Sequence, residues 1–179
     1  MIEEFVAFGS SRYWVLLGLL LFARGADFLS TWVATPHMVL EGNPIARRLG
    51  WKWGAIVNLG LCVAFATWPL SAIVIGTTSL LVAARNFQSA WLMRTLGEEV
   101  YRDWYIEKIQ SADVRLYVFC LLGQTLLISG VGSALMIFYE GKLVPFAVGL
   151  GIVAYSLAVT FYTSLALWRI RRAMRPGCG

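Results

Sequence analysis

An all-α, polytopic membrane bundle is predicted by three features of the sequence. Of 179 residues, 59% are hydrophobic and only 14% charged, against about 45–50% and about 25% in soluble domains. The apolar residues fall in blocks long enough to cross a hydrocarbon core of roughly 30 Å. The basic residues flank those blocks, as topology determinants do. The net charge of +5 is therefore read as a membrane signal, and nucleic acid is not expected as a partner. The whole chain, 1–179, is read as one transmembrane domain.

Residues 1–12 form a short acidic lead-in that reads as an interfacial turn. Glu3 and Glu4 stand where a secretory signal would carry positive charge, so no cleavable signal is expected. The first span covers about 13–34, opening on Tyr13 and Trp14 and closing near Trp32, as an aromatic belt places them. Thr35-Pro36 ends it, because a residue before proline is biased out of the helical region.

Asn43-Pro44 then reads as a helix start, with Asn as N-cap and Pro at the first helical position. From Trp53 to Met93 the chain is mostly apolar for about 40 residues, on the order of 60 Å of helix, twice a membrane core. It must turn back, and Pro69 is the hinge. This gives a second span over 44–68 and a third over 70–93. Residues 95–112 place Leu96, Val100, Trp104, Tyr105 and Ile109 at helical spacing opposite Glu98, Glu99, Arg102, Asp103 and Lys108. That pattern is an amphipathic helix on the membrane surface or a solvated linker helix packed on the bundle. The fourth and fifth spans cover 114–138 and 144–168, joined by a tight turn, and 169–179 is a basic, frayed tail.

Five spans put Arg47, Arg48, Lys52, Arg94, Arg102, Lys108, Arg115, Arg169, Arg171, Arg172 and Arg175 on one side, against Arg12 and Lys142 on the other. The positive-inside rule then sets the N-terminus outside and the C-terminus in the cytoplasm. Ser129, Gly130, Gly132, Ser133 and Ala134, with Ala147, Gly149 and Gly151, mark close helix packing, within the chain or in a homodimer.

Polar residues inside these spans locate a candidate site. Charges in a bilayer core cost roughly 2.5–3.5 kcal/mol each on insertion scales, so they face partners or a wet cavity. Asp27 and Arg85 fall at the same depth, and Asn58, Asn86, Gln88 and Tyr162 or Thr163 lie within about two turns of it. The cytoplasmic half is thus expected to be polar and the outer half dry. We expect Asp27 to pair with Arg85, with Arg24 on the preceding turn. This would be a helix clasp, or, since two arginines and one aspartate leave one positive charge, a seat for an anion, a lipid headgroup or Glu41.

His37 and Glu41, four apart, make with Asp27 a conceivable metal set, although one histidine is few for a transition-metal site. No metal or other cofactor is expected. Cys62, Cys120 and Cys178 show no CxxC and no ligand spacing, and no GxSxG or phosphate loop occurs.

Asp27 and Thr31, followed after the span by Glu41, Asn43 and Pro44, form D-x3-T and E-x-N-P. This run resembles the signature of a small prokaryotic multi-span membrane family known only as a domain of unknown function. The resemblance implies a bacterial or archaeal membrane and supplies no activity.

Three functions remain open. The chain could bind or move a small anionic or lipidic ligand at Arg24, Asp27, Thr31, Glu41, Asn43, Asn58, Arg85 and Asn86. It could instead dock a membrane-protein partner as an accessory or assembly subunit. The third is an intramembrane enzyme on a lipid-borne substrate, with Asp27 or Glu41 as acid or base and His37 assisting.

Overall fold

The computed structural model describes residues 5–40 and 44–172. Among these the protein is all-helical, in six helices: α1 (Ser11–Ala34), α2 (Pro44–Phe65), α3 (Pro69–Leu96), α4 (Glu98–Ser111), α5 (Val114–Ile137) and α6 (Leu143–Arg172). Four of them, α1, α3, α5 and α6, are long and apolar enough to cross a membrane.

The helix ends follow from local chemistry. The Ser10 hydroxyl caps α1 by accepting the Tyr13 N–H at 3.3 Å. Pro69 opens α3 with Trp68 extended before it, so the hinge lies where the proline demands. Gly97, at φ 83°, ends α3 and leads into α4, a left-handed conformation that glycine tolerates.

The second span departs from its expected 44–68. Gly50 sits at φ 67° and ψ −177° inside α2, a conformation nearly confined to glycine, and it separates a basic first segment from Trp51–Phe65. That second segment is about 22 Å long, shorter than a hydrocarbon core. The expected N-cap, Asn43, lies outside the described residues.

Cross-contacts fix the helix directions. Leu19 lies against Gly76, Arg24 bonds Ser79, and Asn86 bonds Ser30 and Thr31, so α1 and α3 run parallel. The Tyr13 hydroxyl donates to Val63 O at 3.3 Å, Arg24 reaches Asn58, and Phe28 packs on Trp51. Hence α2 runs antiparallel to α1 along most of its length. The α5–α6 pair is antiparallel too, with Thr125 against Thr160 and Gly132 against Gly149.

The core is the α1–α3 seam. Tyr13, Leu17, Leu20, Ala23, Ser30 and Ala34 are buried on α1, and Ala72, Gly76, Ser79, Ala83 and Ala90 on α3. Alternating three- and four-residue steps keep each set on one stripe, and the small side chains on α3 let α1 come close. The same principle closes α5 on α6. A Cβ added at Gly132 would stand 2.7 Å from Gly149 O, and one at Gly149 would stand 2.5 Å from Gly132 O. Gly151, placed with that group in the sequence, instead meets Thr77 of α3, where Thr78 donates to its carbonyl at 3.2 Å.

Two terminal segments are better held than their composition suggests. The Val6 N–H donates to Thr67 O at 3.0 Å and Phe5 packs edge-on to Trp68 at 4.9 Å, so the lead-in covers the α2–α3 hinge. Residues 169–172 continue α6 rather than fray. Arg171 donates to Ile109 O at 3.2 Å and Ala112 O at 2.7 Å, binding the last carbonyls of α4.

Candidate functional site

The polar residues of α1 gather where the seam passes beside α2. Arg24 Nη1 donates to Asp27 Oδ2 at 2.9 Å, an ion pair one turn apart on the same helix. Its Nη1 also reaches Ser79 Oγ on α3 at 3.1 Å. On the other side, Nε donates to Asn58 Oδ1 of α2 at 2.8 Å, and Nη2 donates to the same oxygen. Asn58 in turn donates from Nδ2 to Gly54 O at 2.8 Å, which fixes its amide oxygen toward the guanidinium. One arginine thereby ties three helices together.

A second layer lies one to two turns further along. Ser30 and Thr31 hydroxyls donate back to Asp27 O at 2.8 and 3.0 Å, and each accepts from Asn86 Nδ2 at 3.3 Å. The structure thus brings together Arg24, Asp27, Thr31, Asn58 and Asn86 of the predicted set. Ser79 and Ser30 join it unpredicted, although both fall on the small-residue stripes that the sequence spells out.

Arg85 is not the partner of Asp27. It is exposed, and among the described residues it forms no ion pair; Arg24 takes the place expected of it. The reason is azimuthal. Ala83 and Asn86 face the seam, and with 3.6 residues per turn Arg85 points about 100° away from Asn86. It lies instead near Tyr105 of α4, a hydroxyl pushed well above its ordinary range by burial and by Tyr117, with Arg85 acting the other way. Removing Arg85 changes the charge balance: one arginine and one aspartate give a neutral pair.

Glu41 and Asn43 lie outside the described residues. Among those described, no group of three His, Cys, Asp or Glu side chains is set to hold a metal. His37 engages through its backbone: its N–H donates to Glu98 Oε1 at 2.9 Å, and the Val39 N–H donates to Glu98 Oε2 at 3.0 Å. Thr35 Oγ1 donates to the same carboxylate and accepts the Leu40 N–H at 3.1 Å. Burial pushes the Glu98 carboxyl up, but the Thr35, His37 and Val39 donors and the nearby His37 side chain outweigh it and hold it below its ordinary 4.5. The helical pattern of 95–112 places Glu98 on the polar face. The only sequence cue to its role is its place in the first turn of a helix directly after a glycine.

Beside the cluster, a groove of about 650 Å³ lies between α1 and α2, lined by Phe28, Trp32, Trp51 and Leu59 together with Arg24 and Asn58. Trp51 is fixed at one end, donating to Pro36 O at 3.0 Å and packing on Phe28 at 5.0 Å. The Arg24 side chain keeps 32% of its surface exposed. Four of its five N–H donors have acceptors, leaving one on Nη2 without an acceptor among the described residues. Chemically, the site can offer one hydrogen bond from a neutralised guanidinium to an acceptor lying in an apolar, aromatic channel.

Comparison with protein-family models finds no matching family, and comparisons with curated proteins and with solved structures find no match.

Proposed function

We propose that this chain is a five-span membrane protein that binds a lipidic ligand in the lateral groove between α1 and α2. The observation that carries the proposal is the groove itself: a mostly apolar and aromatic lining that includes a partly exposed Arg24. A lipid-like molecule with an acceptor oxygen partway along its length matches that lining. A small free anion matches it less well, because Asp27 already balances Arg24.

The five-span part of the proposal is supported by helix direction. Two parallel membrane-crossing helices, α1 and α3, require the chain between them to return, and α2 lies antiparallel against α1. Among the described residues, Arg94, Arg102, Lys108, Arg115, Arg169, Arg171 and Arg172 belong to the end that holds α4, whereas Arg12 and Lys142 belong to the other. By the positive-inside rule the α4 end is cytoplasmic and the N-terminus external. Exposed Val100 and Trp104 on α4 support its lying at that membrane surface. The D-x3-T and E-x-N-P resemblance favours a bacterial or archaeal cytoplasmic membrane.

Native mass spectrometry of the detergent-purified protein tests the ligand. Gly25 lines the groove, and a Cβ added there meets nothing within 4 Å beyond its chain neighbours, so Gly25→Leu extends an apolar side chain into the groove while keeping Arg24, Asp27 and Asn58 in the sequence. The wild type is expected to retain one more lipid-sized adduct per chain than Gly25→Leu. A wild type with no adduct, or the same number of adducts on both proteins, would sink the ligand reading. Retention of a second polypeptide in its place would favour the accessory-subunit role.

A further inference from the structure

The end of the bundle remote from Glu98, expected to be dry, holds a cavity of about 1060 Å³ between the start of α1, the start of α3 and the α5–α6 turn. Its depth is apolar, lined by Leu16, Ile73 and Phe146, while Val15 and Val144 are exposed on its walls. Exposure of aliphatic walls near the ends of membrane-crossing helices means that the cavity opens sideways, toward acyl chains. Arg12 is also in the lining, is exposed, and has no acidic partner among the described residues. The acid on the adjoining turn, Glu140, is engaged by Lys142 at 3.5 Å.

We propose that this cavity seats an anionic phospholipid of the surrounding leaflet, with an acyl chain between α1, α3 and α6 and the phosphate at Arg12. The apolar depth selects for an acyl chain. Arg12, the cation in the lining among the described residues, favours a negatively charged headgroup over a zwitterionic one: its N–H donors engage the phosphate of either, but the zwitterion adds an ammonium whose charge opposes the guanidinium. The site shares no lining residue with the α1–α2 groove, and neither proposal rests on the other.

The test uses the full chain in nanodiscs of phosphatidylcholine mixed with phosphatidylglycerol, released for native mass spectrometry. The wild type is expected to retain phosphatidylglycerol several-fold above its share of the bilayer. Arg12→Glu should abolish that preference while still retaining a phospholipid. Val15→Trp, which crowds an exposed wall, should lower retention of both headgroups, and Gly25→Leu should leave retention at this site unchanged. Equal retention of the two lipids by the wild type, an undiminished preference in Arg12→Glu, or undiminished retention in Val15→Trp would each overturn the proposal.

Discussion

Arg24 on α1 holds α2 through a single atom, Asn58 Oδ1, which accepts from both Nε and Nη2. The Tyr13 hydroxyl to Val63 O and Trp51 Nε1 to Pro36 O are further polar ties of α2, and the forked bond is the one that joins it to the partly buried charge. Asn58→Leu keeps the volume and removes the acceptor. It is expected to lower unfolding stability in detergent by about 1–3 kcal/mol, the cost of stranding a partly buried donor. Amide exchange should accelerate in α2 more than in α3. Uniform acceleration across the bundle would contradict the assignment.

Asp27 and Arg85 should behave as strangers. Arg85→Gln is expected to change stability by no more than about 0.5 kcal/mol, as exposed substitutions do. Asp27→Asn should cost about 1–3 kcal/mol through loss of the charge-assisted bond to Arg24. The two effects should add in a double-mutant cycle, whereas Asp27→Asn with Arg24→Gln should not.

Glu98 gives the loop after α1 an acid dependence. Its folded pKa lies below the ordinary 4.5. The stabilisation is therefore fully present above that ordinary value and is lost as pH falls through the lower folded value. Hydrogen exchange of the His37 and Val39 amides, corrected for intrinsic rates, should rise on such acidification. In Glu98→Gln those amides should exchange faster already at neutral pH, and the acid dependence should vanish.

Two glycines on one helix should respond oppositely to the same substitution. Gly132→Ala drives a methyl into the backbone of α6 and is expected to cost at least about 1–3 kcal/mol. Gly130→Ala meets open space and should be neutral, or stabilising by up to about 1 kcal/mol through helix propensity. Thermal unfolding of the two variants side by side checks this.

Membrane orientation is tested by labelling single cysteines introduced into a cysteine-free background. Lys142→Cys is expected to react with an impermeant maleimide in intact cells, and Lys108→Cys only after permeabilisation. The reverse pattern, or reaction of both in intact cells, would refute the proposed five-span topology.

Much of this architecture was legible because lipid imposes simple lengths and periods. Pro69 marked the hinge, and the glycines of α5 and α6 marked a close crossing. The polar set Arg24, Asp27, Asn58 and Asn86 was legible too, since polar side chains in apolar helices are few. Depth could be counted along the chain, but rotation about the helix axis could not be assigned from depth alone. Arg85 has the right height and the wrong side, and the stripe Ala72, Gly76, Ser79, Ala83, Asn86, Ala90 was the overlooked guide to which side faces α1. Gly50 misled in another way, as a lone glycine in a helical pattern does not announce its φ. Glu98 was hidden because its partners, one threonine hydroxyl and two backbone N–H groups, lie 59 to 63 residues away.

The Arg24–Asp27 pair is internal to α1, and that bears on biogenesis. In the chain α1 precedes Asn58 and Ser79, which lie 34 and 55 residues beyond Arg24. It carries the counter-ion of Arg24 one turn away, so that partly buried charge needs no later helix to neutralise it. The hydrogen bonds to α2 and α3 then act as docking points for segments that arrive afterwards, which lets α1 serve as the template on which the rest of the chain assembles.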